Sequence, residues 1–337
     1  MLSPADALLL LALVATGDED TTYPWPFAPM DEPKRVLSAY HNLLHAELDT
    51  AYFHGGIDIH ARPGSDVLAI ARGRVHVYED DRSMENIALT EASGDVWEYR
   101  HLRHGSVPGA IRRAAEVDAW VEVGAVLGKS VRWGTTGYDH LHLNRRGHDG
   151  AILDPLDHLL PRDDRLAPVI SEIILLRDGR HTPIPVDEDG VTEVSGRIDI
   201  AVFAQDRALA DDFFVAPIAF AWTVDDQPAR PFTPCQGSLP VPRLLPVPRY
   251  PRDGIRDCYL LAGPGRSKNP TYSPVGQRFV SIITNANAHG RLNPTGCLDT
   301  RDLADGEHEL RVEAFDHAGN RATAELRFRV RNPRESH

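Results

Sequence analysis

The sequence predicts an all-β protein with two β-rich parts, and three observations support this prediction. From about residue 52, short apolar runs alternate with turn residues, as in VLAIARGRVHVY and DVWEYRHL. After residue 168 the runs alternate more strictly, as in GRIDIAVFAQD and HELRVEAFDHAGN, which is typical of a β-sandwich. Within the first part, only residues 110–119 suggest a helix, and a length of 337 residues is comfortable for two domains.

The chain begins with an apolar run, ALLLLALVA at residues 7–15, which is too short to span a membrane. It resembles a signal-peptide core, although no Lys or Arg precedes it, and an N-terminal helix turn is the alternative. We therefore predict a signal peptide over residues 1–17 and export of the chain. Residues 18–45 are predicted to be a linker and lead-in that lies against the next domain through Trp25 and Phe27.

The net charge and the distribution of apolar residues indicate which kinds of partner the protein does not bind. The formal net charge is −13, which disfavours a nucleic-acid partner because such partners require a basic face. No other stretch of the chain is apolar enough to span a bilayer.

The chain has three cysteines, Cys235, Cys258 and Cys297, and they lack the spacing of metal ligands. The sequence agrees both with one disulfide and a free thiol and with three free thiols.

The first candidate functional residues lie in the stretch AYFHGGIDIH. His54 and Asp58 are four residues apart, and Gly55 and Gly56 between them disfavour a helix. On an extended strand, side chains four residues apart point to the same face. The spacing therefore predicts an imidazole and a carboxylate on one face, and the two glycines are predicted to let a substrate backbone approach closely.

Two further stretches supply histidines. In WEYRHL, alternation predicts that Tyr99 and His101 share a strand face. In DHLHLN, alternation predicts that His140 and His142 point one way while the two leucines point the other way. Each stretch alone is a weak signal, but together with His54 they supply four histidines from one region.

Four histidines and one carboxylate fit a catalytic zinc site. Such a site uses three nitrogen or oxygen ligands from the protein and leaves a fourth position for water, whose pKa falls to about 7. The surplus histidines can then act as a general base and as donors to a developing oxyanion. A structural zinc needs four ligands and favours cysteine, which is absent from this half of the chain. Spacing alone does not say whether His140 or His142 is a ligand.

The segments HGGID, YRHL and HLHLN, in this order, resemble the lysostaphin-type (M23, LytM-like) zinc endopeptidases, which cleave peptidoglycan cross-bridges. The surrounding stretches GIDIHARPGSDVLAIARGRV, VEVGAVLGKSV and ILDPLDHL also resemble that family. The resemblance covers roughly residues 50–160. It implies a LytM-like antiparallel β-sheet in a peptidase domain that we place at residues 46–162.

The resemblance also assigns roles to residues. It implies that His54, Asp58 and His142 are the ligands of one Zn²⁺ ion per chain, and that His101 and His140 form the catalytic pair. The sequence departs from the family pattern after HLH, where the family usually has Phe-Glu and this chain has Leu-Asn, and before it, where the usual Pro is Tyr. These departures bear on substrate preference more than on the metal.

The C-terminal part, residues 168–333, is predicted to be an immunoglobulin-like β-sandwich domain. Its last two strands are joined by FDHAGN, which supplies the local hydrogen bonds and the positive φ of a hairpin turn. No titratable cluster with catalytic spacing occurs in it. A spacer or docking role is expected, and binding to cell wall or protein is the alternative.

These observations lead to one expected function and two alternatives. The expected function is a secreted or periplasmic zinc endopeptidase of the cell envelope that hydrolyses peptide cross-links of bacterial peptidoglycan. The alternatives are a non-catalytic module that binds cell wall or activates another hydrolase, and hydrolysis of a non-wall protein rich in small residues. A polyglycine-type bridge and a D-amino-acid cross-link are both compatible as the bond that is cut.

Overall fold

The structure is a computed structural model, and its described part is almost entirely β. The described residues are 22–40, 42–44, 52–80, 84–134, 138–161, 164–207, 214–233, 258 and 279–333. The predicted signal peptide and Cys235 lie outside these residues. Among the described residues, Cys258 and Cys297 are not joined to each other by a disulfide. No helix among the described residues is long and apolar enough to cross a membrane.

The first part of the chain forms an antiparallel sheet in the order β1-β4-β11-β8-β7-β6-β9, and β12 pairs with β11. Two small pairs, β2 with β3 and β5 with β10, flank it. The strands are β1 (Val36–Ser38), β2 (Leu43–Leu44), β3 (Tyr52–Phe53), β4 (Ile57–His60), β5 (Asp66–Leu68), β6 (Gly73–Glu79), β7 (Glu85–Thr90), β8 (Val96–Leu102), β9 (Trp120–Val121), β10 (Val126–Lys129), β11 (His140–Arg146) and β12 (Ile152–Leu153).

One face of this sheet is covered by an apolar cluster, which we call the first core. Alternate residues of β4, β8 and β11 enter it, including Ile57, Ile59, Tyr99, Leu141 and Leu143. Each of these five side chains is at most 1% exposed. Because strand side chains alternate between faces, the intervening residues of β4 and β11 lie on the opposite face, where the candidate site is found.

The segment before β1 also belongs to this core. Trp25 is fully buried and Phe27 is nearly so, which confirms the prediction that these two side chains lie against the domain. The Trp25 indole Nε1–H donates to the Leu160 carbonyl oxygen at 3.1 Å, so this segment contacts the far end of the first part.

The predicted helix at 110–119 is observed as α1 (Gly109–Glu116), slightly shorter than expected. It begins directly after Pro108, whose fixed φ suits a helix start. Ile111 packs into the first core, and Arg112 pairs with the buried Glu85 carboxylate. A short 3-10 helix, Pro155–Asp157, follows β12.

The second part contains two further sheets. One has the order β14-β13-β16-β17 with β20 and β21 also paired to β16, and the other has the order β15-β23-β22-β18-β19. The strands are β13 (Val169–Arg177), β14 (Thr182–Pro183), β15 (Thr192–Val194), β16 (Arg197–Arg207), β17 (Phe214–Val215), β18 (Ala219–Val224), β19 (Arg230–Phe232), β20 (Val280–Ile282), β21 (Leu298–Asp299), β22 (Gly306–Phe315) and β23 (Arg321–Val330). A 3-10 helix, Thr300–Asp302, follows β21.

The two sheets share a second core. Ile200 and Val202 of β16 meet Phe220, Val312 and Phe328 of the other sheet. This is the packing of a two-sheet sandwich. The immunoglobulin-like assignment and the domain boundaries stay predictions.

The predicted turn between the last two strands is confirmed. Asp316 and Asn320 close it through a hydrogen bond between the backbone N–H of Asp316 and the carbonyl of Asn320 at 3.1 Å. Gly319 has a φ of 82°, a conformation that glycine adopts without steric cost.

The two parts of the chain are in direct contact. Val215 of β17 is 2% exposed and packs into the first core. The next residue, Ala216, donates its backbone N–H to the Asn42 side-chain oxygen at 3.1 Å. In the turn between β22 and β23, His317 Nε2 lies 2.7 Å from Asp154 Oδ2 of the first part. The second part therefore contacts the first at separate points.

Because Trp25 fills the first core, we expect Trp25→Ala to destabilise the protein by about 3–5 kcal/mol, the usual cost of removing a buried aromatic side chain. Urea unfolding followed by circular dichroism measures this change. The matched control is Val117→Ala, since Val117 is 72% exposed, and its effect should stay within about 0.5 kcal/mol. Equal unfolding midpoints for both variants would contradict the packing described for the N-terminal segment.

Candidate metal centre

The candidate site is built on the pairing of β4 with β11. In this antiparallel pair Asp58 lies directly opposite His142, and His60 lies opposite His140. Leu141 and Leu143, the neighbours of the two β11 histidines, point into the first core, as the sequence predicted. His142 Nδ1 is consequently 2.9 Å from Asp58 Oδ1.

His54 reaches the same point from outside the strand. The extended stretch expected from His54 to Asp58 is interrupted by a bend at residues 55–56, and β4 begins only at Ile57. The bend still brings His54 Nε2 within 3.2 Å of Asp58 Oδ1 and 2.9 Å of His142 Nδ1. The prediction that the two side chains converge is therefore met, but by a bend and not by strand alternation.

The bend requires glycine for a packing reason. A Cβ atom on Gly56 would lie 2.1 Å from Asn144 Oδ1 and 2.3 Å from the Leu143 carbonyl oxygen. No side chain fits at such distances, so Gly56 allows the backbone before β4 to contact β11. The backbone that approaches Gly56 closely is therefore that of β11, and the close approach of a substrate backbone at Gly55 and Gly56 stays a prediction.

Hydrogen bonds determine which ring nitrogen of His54 is free. His54 Nδ1 lies 3.0 Å from the Ala39 carbonyl oxygen, which only accepts hydrogen bonds. Nδ1 therefore carries the hydrogen, and in the neutral ring Nε2 presents a lone pair. Ser38 Oγ is also 3.2 Å from Nδ1, and both Ser38 and His54 are buried.

The same reasoning applies to His142. The Glu98 carboxylate only accepts, so Asn144 turns its amide N–H towards Glu98 Oε2 at 3.1 Å. This orientation points Asn144 Oδ1 at His142 Nε2, 2.6 Å away, and Oδ1 accepts the Nε2 hydrogen. In the neutral His142 ring the lone pair is then on Nδ1. A partner of this kind, holding the nitrogen that faces away from a metal, is usual behind metal-ligating histidines.

Three acceptor atoms thus face one another: His54 Nε2, His142 Nδ1 and Asp58 Oδ1. Their separations are 2.9, 2.9 and 3.2 Å, and no hydrogen of a neutral ring lies between them. Ligand atoms at about 2.0–2.1 Å from a tetrahedral zinc ion are about 3.3 Å apart, so the triangle fits one face of such a site with slight expansion. The chemistry of the donor set, two imidazoles and a carboxylate, also suits zinc.

The electrostatics of the site favour a positive charge at this point. Burial lowers the pKa of His54, but the Asp58 carboxylate outweighs burial and the pKa is raised. Burial also opposes ionisation of Asp58, yet His54 and His140 lower its pKa well below the usual value. Burial brings the pKa of His142 to about 4, so this ring is neutral at pH 7 and able to act as a ligand.

His140 lies beside the three donors. Its Nδ1 donates to the Tyr138 carbonyl oxygen at 2.7 Å, which leaves a lone pair on Nε2 in the neutral ring. Nε2 is 3.6 Å from Asp58 Oδ1. The Tyr138 hydroxyl donates to the other Asp58 oxygen, Oδ2, at 2.6 Å. His140 therefore borders the candidate centre without lying among its closest donors.

His101 reaches the site through an unusual backbone conformation. Tyr99 points into the first core, where its hydroxyl accepts the Ile70 backbone N–H at 2.9 Å. The prediction that Tyr99 and His101 share a face is therefore wrong. His101 has a φ of 66°, which breaks strand alternation and places its ring 5.2 Å from the His140 ring. Such strain in a non-glycine residue is often found at functional sites.

The His101 ring is neutral and poorly hydrogen-bonded. Burial and the neighbouring His140 and His142 lower its pKa well below the usual value. Its Nδ1 is buried and has no hydrogen-bond partner among the described residues. The Trp133 ring lies 4.7 Å from the His101 ring and 4.6 Å from the His140 ring, and thus contacts both. The ring is therefore in its neutral form, in which one of the two nitrogens carries a lone pair.

Four supporting residues were not predicted from the sequence: Ser38, Trp133, Tyr138 and Asn144. Asn144 and Tyr138 had a usable signal, because each lies two residues from one of the β11 histidines and alternation places such residues on the same face. Ser38 and Trp133 lie on other segments, and nothing in the sequence connects them to the site.

The part of the chain that holds the candidate centre matches a known protein family. Residues 52–155, which contain all five predicted site residues, match the family described as Peptidase family M23. No curated protein matches the chain.

Three solved structures illustrate the likeness. The catalytic domain of the antimicrobial peptidase lysostaphin from Staphylococcus simulans is 23% identical, with 31% of this chain and 76% of that chain covered and a TM-score of 0.25. The catalytic domain of a mutant of the prophage-encoded M23 protein EnpA from Enterococcus faecalis is 22% identical, with 36% of this chain and 89% of that chain covered and a TM-score of 0.27. A chain of the SpoIIQ–SpoIIIAH pore forming complex is 20% identical, with 42% of this chain and 94% of that chain covered and a TM-score of 0.32. With TM-scores below 0.5, these likenesses do not by themselves assign a function.

Because Asn144 holds His142 in the orientation that exposes Nδ1, we expect Asn144→Ala to weaken zinc affinity by about 10–100-fold, the usual effect of losing such a partner. Competition with a chromogenic chelator measures this affinity. His76→Ala is the control, since His76 is exposed on β6. Unchanged affinity in Asn144→Ala would contradict the role given to the Asn144 amide.

Proposed function

We propose that the protein is a zinc-dependent endopeptidase, because residues 52–155 form a peptidase family M23 domain. The observation that carries the proposal is the convergence of three acceptor atoms, on His54, Asp58 and His142, beside two further histidines. The proposed substrate is the peptide part of bacterial peptidoglycan, and the proposed location is outside the cytoplasm, at the cell envelope.

In this proposal His54, Asp58 and His142 hold one zinc ion per chain. Three protein donors are the number used by catalytic zinc sites, whereas structural sites use four. When bound, zinc acts as a Lewis acid and makes a water molecule nucleophilic at neutral pH. The chain contributes the rest of the chemistry through the residues around this point.

His101 and His140 are proposed to move and hold protons. Hydrolysis of an amide consumes water and yields a carboxylic acid and an amine, so one proton must leave the water and one must reach the amine nitrogen. His101 is neutral and has a free Nδ1, which suits a general base that later returns the proton. A protonated Nε2 on His140 would donate to the oxygen that becomes negative during attack.

Tyr138 and Trp133 are proposed to position this machinery. The Tyr138 hydroxyl fixes one oxygen of Asp58, and its carbonyl fixes the ring of His140. Trp133 packs on both histidine rings and limits their rotation. Rigid placement of this kind is what makes a proton-transfer pair effective, because small displacements of reacting groups are costly.

The direct test of peptidase activity uses purified sacculi. We expect the protein to release new amino groups, because each hydrolysed amide yields one. The release should stop on treatment with 1,10-phenanthroline, used at about 1 mM to remove zinc, and return when Zn²⁺ is added back. Binding to sacculi without any release of amino groups would instead support the non-catalytic alternative.

Substitutions distinguish metal binding from proton transfer. We expect His142→Ala to lose both bound zinc and activity, because it removes one of three ligands. We expect His101→Ala to keep zinc and lose activity by about 10²–10⁴-fold, the usual contribution of a general acid or base. His148→Ala is the control, since this side chain is 73% exposed and lies outside the centre. A fully active His142→Ala protein would refute the assignment.

A further inference from the structure

A second cluster of buried acidic side chains lies where the two parts of the chain meet. It contains Asp164, which precedes β13, Asp206 near the end of β16, and Asp316 in the turn between β22 and β23. One carboxylate oxygen from each residue lies within 4.8 Å of the others. The three residues are 8%, 2% and 2% exposed. Three elements distant in sequence therefore direct carboxylates to one buried point.

Hydrogen bonds to described residues satisfy both carboxylate oxygens of Asp316 and one oxygen of Asp164. Asp316 Oδ1 accepts from the backbone N–H groups of Ala318 and Asn320, and its Oδ2 accepts from the Asn320 side chain at 2.9 Å. Asp164 Oδ1 accepts from the Leu166 backbone N–H at 3.0 Å. Asp164 Oδ2, by contrast, is buried and has no hydrogen-bond partner among the described residues.

Such an arrangement is electrostatically unfavourable by itself. Neither Asp164 nor Asp316 forms an ion pair with a described Lys, Arg or His side chain. Burial, and after it the nearby Asp164 carboxylate, raise the pKa of Asp316. Buried charges require pairing or metal coordination, so the Asp164 and Asp316 carboxylates call for a cation or a shared proton.

We propose that Asp164, Asp206 and Asp316 bind a Ca²⁺ ion that joins the two parts of the chain. The donors are all oxygens, which calcium prefers, and no nitrogen or sulfur ligand is among them. Three carboxylates supply up to six oxygens when bidentate, and water completes the six to eight ligands of calcium. The unsatisfied Asp164 Oδ2 gains a partner on binding.

The position of the cluster gives the ion a structural role. The Asn320 side chain that bonds Asp316 also donates to the Asp164 carbonyl oxygen at 2.9 Å. On the same turn, His317 contacts Asp154 of the first part. An ion at this point thus fastens the β22–β23 turn to the segment that connects the two cores, and it acts separately from the zinc centre.

The test measures calcium binding and thermal unfolding of the full chain. The protein is stripped with EDTA, desalted, and loaded with one equivalent of Zn²⁺ before calorimetric titration with CaCl₂. We expect one Ca²⁺ per chain, with a dissociation constant of about 10⁻⁴–10⁻³ M as in extracellular modules. At 10 mM CaCl₂ the unfolding midpoint should rise by roughly 3–10 °C relative to NaCl of equal ionic strength.

Variants locate the site. Asp164→Asn keeps the acceptor for Leu166 but removes one charge, and it should weaken calcium binding at least about tenfold. Asp316→Asn should do the same. Asp189→Asn, an equal charge change in an exposed turn, should bind like the wild type, and so should His142→Ala, which lacks a zinc ligand.

Three results would overturn the proposal: no calcium binding by the folded wild type, equal binding by Asp164→Asn, or equal binding by Asp316→Asn. A wild-type midpoint that responds to acid but not to calcium would likewise overturn it, in favour of a shared proton. If Asp316→Asn does not fold, Asp164→Asn decides the outcome.

Discussion

The candidate metal centre depends on a single register, the pairing of β4 with β11 that sets Asp58 opposite His142. Strand side chains alternate between faces, so a slip by one residue would exchange the core leucines of β11 with its histidines. Burial of Leu141 and Leu143 in the first core prevents this slip. Hydrophobic packing on one face of the sheet therefore fixes where Asp58 and His142 lie on the other face. Hydrogen bonds with Tyr138 and Asn144 then orient their side chains.

The register does not by itself position His54, and here the second part of the chain contributes. Ala216, which follows β17, donates to Asn42, and the Asn42 amide in turn donates to Ser38 Oγ at 3.3 Å. Ser38 contacts His54 Nδ1, and the backbone N–H of His54 donates to the Asn42 carbonyl oxygen at 2.9 Å. A buried hydrogen-bonded chain thus leads from the second part to a proposed zinc ligand. A spacer or docking role for the C-terminal part, as expected from the sequence, does not include this connection. Through these hydrogen bonds the C-terminal part also supports the structure of the site.

Periodicity predicted the arrangement of the site wherever the backbone is regular. Alternation placed His140 and His142 correctly, because β11 is an uninterrupted strand with leucines on its other face. It failed for His101, where a positive φ reverses the direction of the side chain, and it reached the right result for His54 through a bend that it did not predict. Both departures from regular strand geometry lie at the site itself, where such a departure is expected to accompany function. Ser38 had no signal at all, since its contact depends on the tertiary fold.

Charges outside the proposed centre also decide which atoms face it. Glu98 is 6% exposed, and burial opposes its ionisation, but Arg100 and Arg146 outweigh burial and lower its pKa. Arg100 contacts Glu98 Oε2 at 2.8 Å, and Arg146 contacts Oε1. Because Glu98 stays ionised, it accepts and cannot donate, and the Asn144 amide has only one favourable orientation. That orientation gives the His142 hydrogen to Nε2 and the lone pair to Nδ1. Arg100 and Arg146 thus act on His142 at a distance. They keep Glu98 ionised, Glu98 orients the Asn144 amide, and Asn144 leaves the His142 nitrogen that faces Asp58 able to bind a metal ion.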